Sequence, residues 1–156
     1  MKNTIIKKTN QKKVALELAK ELPDYFNEQG LKSLAKDLES QELYGAFINE
    51  IMIGFMTCRK ADLAALEITW LAISPEYQNQ GIGTKLVRET LNLFSNKGYK
   101  ICYVKTLAET AKDDGYFKTR AFYKKLGFNT LEIISSYPGW TKENPCQILA
   151  SSLPLK

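Results

Sequence analysis

The chain contains no histidine. That excludes histidine-based catalytic triads, histidine metal ligands and an imidazole general base. Any proton transfer has to use a carboxylate, a tyrosine, a lysine, a cysteine or water. Cysteine is scarce as well: Cys58, Cys102 and Cys146 are odd in number and widely spaced. They suit reduced, buried thiols in a cytoplasmic protein, and neither a disulfide framework nor a zinc site is expected. With no histidine to lower a thiol pKa, packing is their expected role. No apolar run approaches the roughly 20 residues that a membrane helix needs. The start, MKNTIIKKTNQKK, is charged and lacks the apolar stretch of a secretory leader, so no membrane association is expected. The lysines are dispersed and no basic-aromatic motif occurs, so nucleic acid is not an expected partner. Internal repeats, low-complexity segments and linkers are also missing.

What is present suits a globular protein. The 156 residues are 44% hydrophobic and 25% charged, which is enough for one domain over 1–156 with a sizeable core. The net charge of +5 favours an anionic ligand. Along the chain, Thr4-Ile5-Ile6 reads as a first strand. Val14, Ala15, Leu18, Ala19 and Leu22 have helical spacing up to Pro23, and Leu31, Leu34, Ala35 and Leu38 form a second helical stripe. Asp24–Gly30 between them reads as a polar loop. Glu42–Asn49 and Ile51–Arg59 form a hairpin joined at Asn49-Glu50, and Leu63–Ile73 continues the meander. A helix to Lys97, a strand Lys100–Leu107, a charged loop Ala108–Gly115 and a helix Tyr116–Leu126 follow. Phe117, Ala121, Phe122 and Leu126 are its expected core stripe. Phe128–Ser136 and Gln147–Leu153 close the chain as a strand pair. The resulting order, β-α-α-β-β-β-α-β-α-β-β, is mixed α/β, with the strands ending at Ile73 and starting near Ile101 as parallel neighbours.

The segment Leu71–Gly83, LAISPEYQNQGIG, carries the strongest functional signal. An apolar strand ends at Ile73, Ser74-Pro75 stops it, and Gly81-Ile82-Gly83 opens a helix. A helix start has unpaired N–H groups and a partial positive charge, and glycine allows phosphate to approach the backbone. The G-x-x-x-x-G-K-[ST] pattern of a nucleotide P-loop is absent. So is the third glycine of a dinucleotide fingerprint, since Leu86 stands there.

What does occur is Q-x-x-G-x-G over Gln78-Asn79-Gln80-Gly81-Ile82-Gly83, and this resembles the pyrophosphate loop of the GNAT superfamily of acyl-CoA-dependent N-acyltransferases. The later segment Thr119–Phe128, TRAFYKKLGF, is similar to that family's A-x-F/L-Y-x-x-x-G-F helix. The resemblance covers roughly Glu42–Phe128. It implies a mostly antiparallel sheet with a central parallel strand pair splayed at a bulge and helices on both faces. It further implies acetyl-CoA as co-substrate and a small-molecule or peptide amine as acceptor, and it leaves a homodimer open. An inactive acyl-CoA-binding module of the same fold is the alternative.

Acyl transfer to an amine needs an unprotonated amine, a donor for the carbonyl oxygen and a proton for the leaving thiolate. By the resemblance, Glu67 has the place of the acidic base, six residues before the strand-ending Ile73. Backbone N–H groups at Ala72 and Ile73, with Leu71 beside them, would receive the cofactor. Tyr123 would protonate the sulfur. Gln78, Asn79, Gln80, Gly81, Ile82, Gly83 and Thr84 would hold the pyrophosphate. Gln78 replaces an arginine common in relatives, and Tyr116 stands where an asparagine often bonds the pantetheine. No metal is expected.

Overall fold

The structure is a computed structural model and describes residues 3–111, 114–141 and 144–156. Alternating and helical periodicities resolve into β1 (Ile5–Thr9), α1 (Lys12–Lys20), α2 (Glu28–Leu38), β2 (Glu42–Ile48), β3 (Ile51–Lys60), β4 (Ala65–Ile73), α3 (Ile82–Asn96), β5 (Ile101–Leu107), α4 (Asp114–Lys125), β6 (Asn129–Ile134) and β7 (Cys146–Ser152). They form a seven-stranded sheet in the order β1-β2-β3-β4-β5-β7-β6, with β4–β5 its one parallel pair. The order of elements is the one the sequence predicts. The last strand, however, inserts between β5 and β6, which leaves β6 at the edge.

Helices cover both faces. Ala15, Leu18 and Ala19 of α1 and Leu34 and Leu38 of α2 pack on Leu43, Phe47, Phe55 and Ala72. On the opposite face, Leu86, Val87, Leu91 and Phe94 of α3, Tyr123 of α4 and Leu126 just after it pack on Met56, Leu66, Ile68, Cys102 and Val104. Helix α2 begins inside the stretch expected to be loop, because the Asn27 side chain accepts from the Gly30 N–H at 2.8 Å and caps it. Helix α4 is also rotated from expectation. Phe117 is 65% exposed and Ala121 is exposed, while Arg120, Tyr123 and Leu126 turn inward. Both stripes satisfy a helical period, and the inner one is chosen by the core it meets.

The β2–β3 turn places Asn49 at φ 49° and Glu50 at φ 67°. Two positive φ values are the signature of the tight hairpin turn that prefers glycine second. Glu50→Gly should therefore raise stability by about 0.5–1 kcal/mol, the αL cost of a side chain less the entropy of glycine. Urea unfolding measures it, and a loss of stability would contradict the turn assignment.

Candidate active site

The parallel pair is short. β4 and β5 pair only over Ala65↔Ile101, Leu66↔Cys102, Glu67↔Tyr103 and Ile68↔Val104. Beyond that, Trp70–Ile73 stays bound to β3, and Lys105–Leu107 stays bound to β7. Each strand keeps its outer neighbour and releases its inner one, so a gap opens towards the C-terminal ends. The cause lies at Thr69. Thr57 pairs with Trp70 and Cys58 with Ile68, so Thr69 has no partner on β3 and forms a bulge. The Thr69 hydroxyl donates to the Gln41 side-chain oxygen and lies 2.6 Å from the Thr57 hydroxyl, which fixes the bulge to the start of β2.

The gap edge carries main-chain groups. The Ser74 N–H donates to the Ile53 carbonyl at 2.8 Å, so the alternation of an antiparallel ladder turns the Leu71 and Ile73 N–H groups towards the gap, whereas the Ala72 N–H, expected from the sequence to face the cofactor, is turned towards β3 instead. The Gln78 side-chain amide donates to the Ile73 carbonyl at 3.0 Å. Next to it, Asn79 (φ 61°) and Gly81 (φ 80°) reverse the chain into α3, and no side chain caps that helix. Gln80 bonds back to the Glu76 carbonyl, and Ile82 is buried beside Ile48 and Ile53. A Cβ at Gly83 would lie 3.4 Å from the Phe122 ring and 3.7 Å from Ile73 Cγ1, so the first turn of α3, with Thr84, sits against both α4 and the end of β4. Arg120, buried, donates to the Leu107 carbonyl and ties α4 to the end of β5. Tyr116 meets Tyr25 edge-to-face at 6.1 Å, linking α4 to the α1–α2 loop.

Glu67 points away from Leu66 and Ile68, on the face shared with Thr69. It is 4% exposed, but its surroundings are ionic. Arg59 Nε donates to Oε1 at 2.9 Å, and Lys105 Nζ lies 3.2 Å from Oε2. Arg59 Nη2 also donates to the Tyr103 hydroxyl at 2.6 Å. Arg59, Glu67 and Tyr103 are cross-strand neighbours on β3, β4 and β5, and Lys105 follows two positions on. Burial opposes both cations, yet both pKa values are raised, Arg59's by Glu67 and Lys105's by Tyr137 and Glu67. Sequence patterning missed Arg59, Tyr103 and Lys105, because their convergence depends on strand order and on a register set by the bulge.

Tyr123 lies on the opposite face of the sheet, ringed by Phe122 and Phe128 at 5.1 and 5.3 Å. Burial, with Cys102 and Cys58 nearby, pushes its hydroxyl well above the ordinary tyrosine range. Burial also raises all three thiols, Cys102 to about 12, so none is an activated nucleophile.

A splayed parallel pair beside an uncapped, glycine-led helix is a distinctive arrangement, and the family comparison agrees with it. The model of the GNAT acetyltransferase domain matches residues 39–130. The chain belongs to the GNAT acetyltransferase family. Its fold is shared by a GNAT-family protein of Desulfovibrio desulfuricans at 14% identity and TM-score 0.83, covering 96% of this chain and 99% of that one. A GNAT acetyltransferase of Elizabethkingia anophelis with acetyl-CoA bound is 23% identical at TM-score 0.73, covering 97% and 99%. An aminoglycoside 6′-N-acetyltransferase of Enterococcus faecium is 18% identical at TM-score 0.72, covering 95% and 96%. No curated protein matches in sequence.

The ionic cluster of this GNAT chain is open to a stability test. Lys105→Met leaves a buried carboxylate with one cation and should cost about 1–3 kcal/mol, discounted for the exposure of Arg59. In a Glu67→Gln background the same change should cost much less. Urea unfolding of the four proteins decides, and equal costs in both backgrounds would dissolve the proposed coupling.

Proposed function

We propose that this GNAT protein is an N-acetyltransferase that moves an acetyl group from acetyl-CoA to a primary amine by direct transfer in a ternary complex. One observation carries the reading: the unpaired inner edge of β4, with two N–H groups turned into a gap beside an anion-favouring helix start. An extended chain such as pantetheine can add to such an edge as a strand does. In this reading the N–H groups of Gln78 to Thr84 hold the pyrophosphate, with Gly83 keeping the backbone within reach. The N–H groups of Leu71 and Ile73 meet the pantetheine and the thioester oxygen, Ala72 sits between them, and Tyr116 borders the cofactor from α4. The acetyl-CoA bound to the Elizabethkingia protein of the same fold supports the donor.

The reading assigns the two proton transfers to Glu67 and Tyr123, which lie on opposite faces of the sheet. The amine attacks the thioester carbonyl, and the oxygen gains charge near the β4 amides. Glu67, directly or through water, takes the proton that the amine must lose. The C–S bond then breaks, and Tyr123 gives a proton to the departing sulfur. The second reading, an acyl-CoA-binding module without turnover, draws on one observation: both Glu67 oxygens already accept from cations.

Steady-state thiol release separates the two. Tyr123→Phe should lower kcat by roughly 10- to 1000-fold with little change in KM for acetyl-CoA. Glu67→Gln should lower the neutral rate by roughly 100-fold and recover partly at high pH, where free amine is abundant. Wild-type kcat in the first, or an equal deficit at every pH in the second, would remove that residue from the chemistry. No thiol release by the wild type with any amine would favour the binding module.

A further inference from the structure

The charges around Glu67 do not balance. Arg59 and Lys105 converge on one carboxylate, so the trio carries a net positive charge. Among the described residues Glu67 is the one carboxylate in ion-pair contact with either cation. The other carboxylates tied to β4 on this face, Asp37 and Glu21, bond Trp70 Nε1 at 2.8 Å and the Ser74 hydroxyl at 2.9 Å, farther along the strand. Both cations also have donors to spare. Arg59 uses Nε on Glu67 and Nη2 on Tyr103, leaving Nη1, and its side chain is 45% exposed. Lys105 is 22% exposed, with its ammonium 4.8 Å from the centre of the Tyr137 ring. Lys105 is the first β5 residue past the last parallel pair, so this cluster stands at the mouth of the gap.

A purely structural ion pair would need one cation. Two, held on one face of neighbouring strands with open donors, form a receptor for a second anion. A polycationic amine would approach this face against its charge. We propose that the amine acceptor carries a carboxylate, and that Arg59 and Lys105 bind it. Arg59 presents its remaining Nη1 donors, Lys105 supplies the second charge, and the Tyr103 and Tyr137 rings border the site. The acceptor's carboxylate offsets the excess positive charge of the trio and brings its amine beside Glu67. The inference rests on the acetyl-transfer reading for the word acceptor, but its binding claim can be tested without turnover.

The test pairs α- and ω-amino acids with their own carboxamides, and includes a polyamine. Binding to the full chain with saturating CoA is measured by calorimetry, and thiol release from acetyl-CoA is measured with the same compounds. At least one acid should bind 10-fold or more tighter than its carboxamide, and the preference should fall to about 2-fold or less in Arg59→Gln and in Lys105→Gln. Circular dichroism establishes that both variants are folded, and Arg59→Lys should restore part of the preference. Carboxamides or the polyamine binding as well as the acids would overturn the proposal, as would failure of every acid to bind or a preference unchanged in both variants. Acid-selective binding without thiol release would sink the acetyl-transfer reading while leaving the carboxylate site. Thiol release indifferent to the carboxylate would do the reverse.

Discussion

The parting of β4 from β5 is the constraint on which the rest depends. A buried sheet normally pairs its main-chain groups, and leaving them open costs free energy unless something else satisfies them. Here one surplus residue, Thr69, bends β4 after four parallel pairs. Neither strand is lost from the sheet, because β3 holds one and β7 the other. The insertion of β7 beside β5 therefore matters to function: without it β5 would have no outer neighbour to hold it as the gap opens. Thr57 and Gln41 fix the bulge through the Thr69 hydroxyl, so the opening is built into the fold.

That opening also sorts the chemistry. Strand alternation sends Glu67 to one face and Leu66 and Ile68 to the other, so the carboxylate lies with Arg59, Tyr103 and Lys105 while Tyr123 rises from the helix α3/α4 side. The gap is where the two faces communicate. The helix α3 start sits at the same end of β4, with Gly83 beside Phe122 and Ile73. On the proposed reading, a donor cofactor and an acceptor meet there from different faces of the sheet.

Much of this was legible in the sequence, and the failures have physical causes. The order of elements followed from periodicity and from breakers such as Pro23 and Ser74-Pro75. The glycine loop was legible because its residues are local to one turn. Long-range pairing was not: Phe128–Ser136 and Gln147–Leu153 read as a hairpin whichever of them lies beside β5. The inner face of α4 was misassigned through Phe117, since two overlapping stripes fit one helical period and only the core selects between them. Glu67 could be placed on its face by alternation alone. Its partners could not, because Arg59 and Lys105 lie 8 and 38 residues away on other strands and meet it only through the bulged register.

Amide hydrogen exchange, read residue by residue by NMR with and without acetyl-CoA, tests the central claim most directly. If the cofactor adds to the open edge of β4, the Leu71 and Ile73 amides should exchange much more slowly once it is bound. Ala72, already directed at β3, should change little. The N–H groups at the start of α3 should gain protection with them. Acetyl-CoA binding that leaves Leu71 and Ile73 unprotected, or no binding at all, would contradict the account.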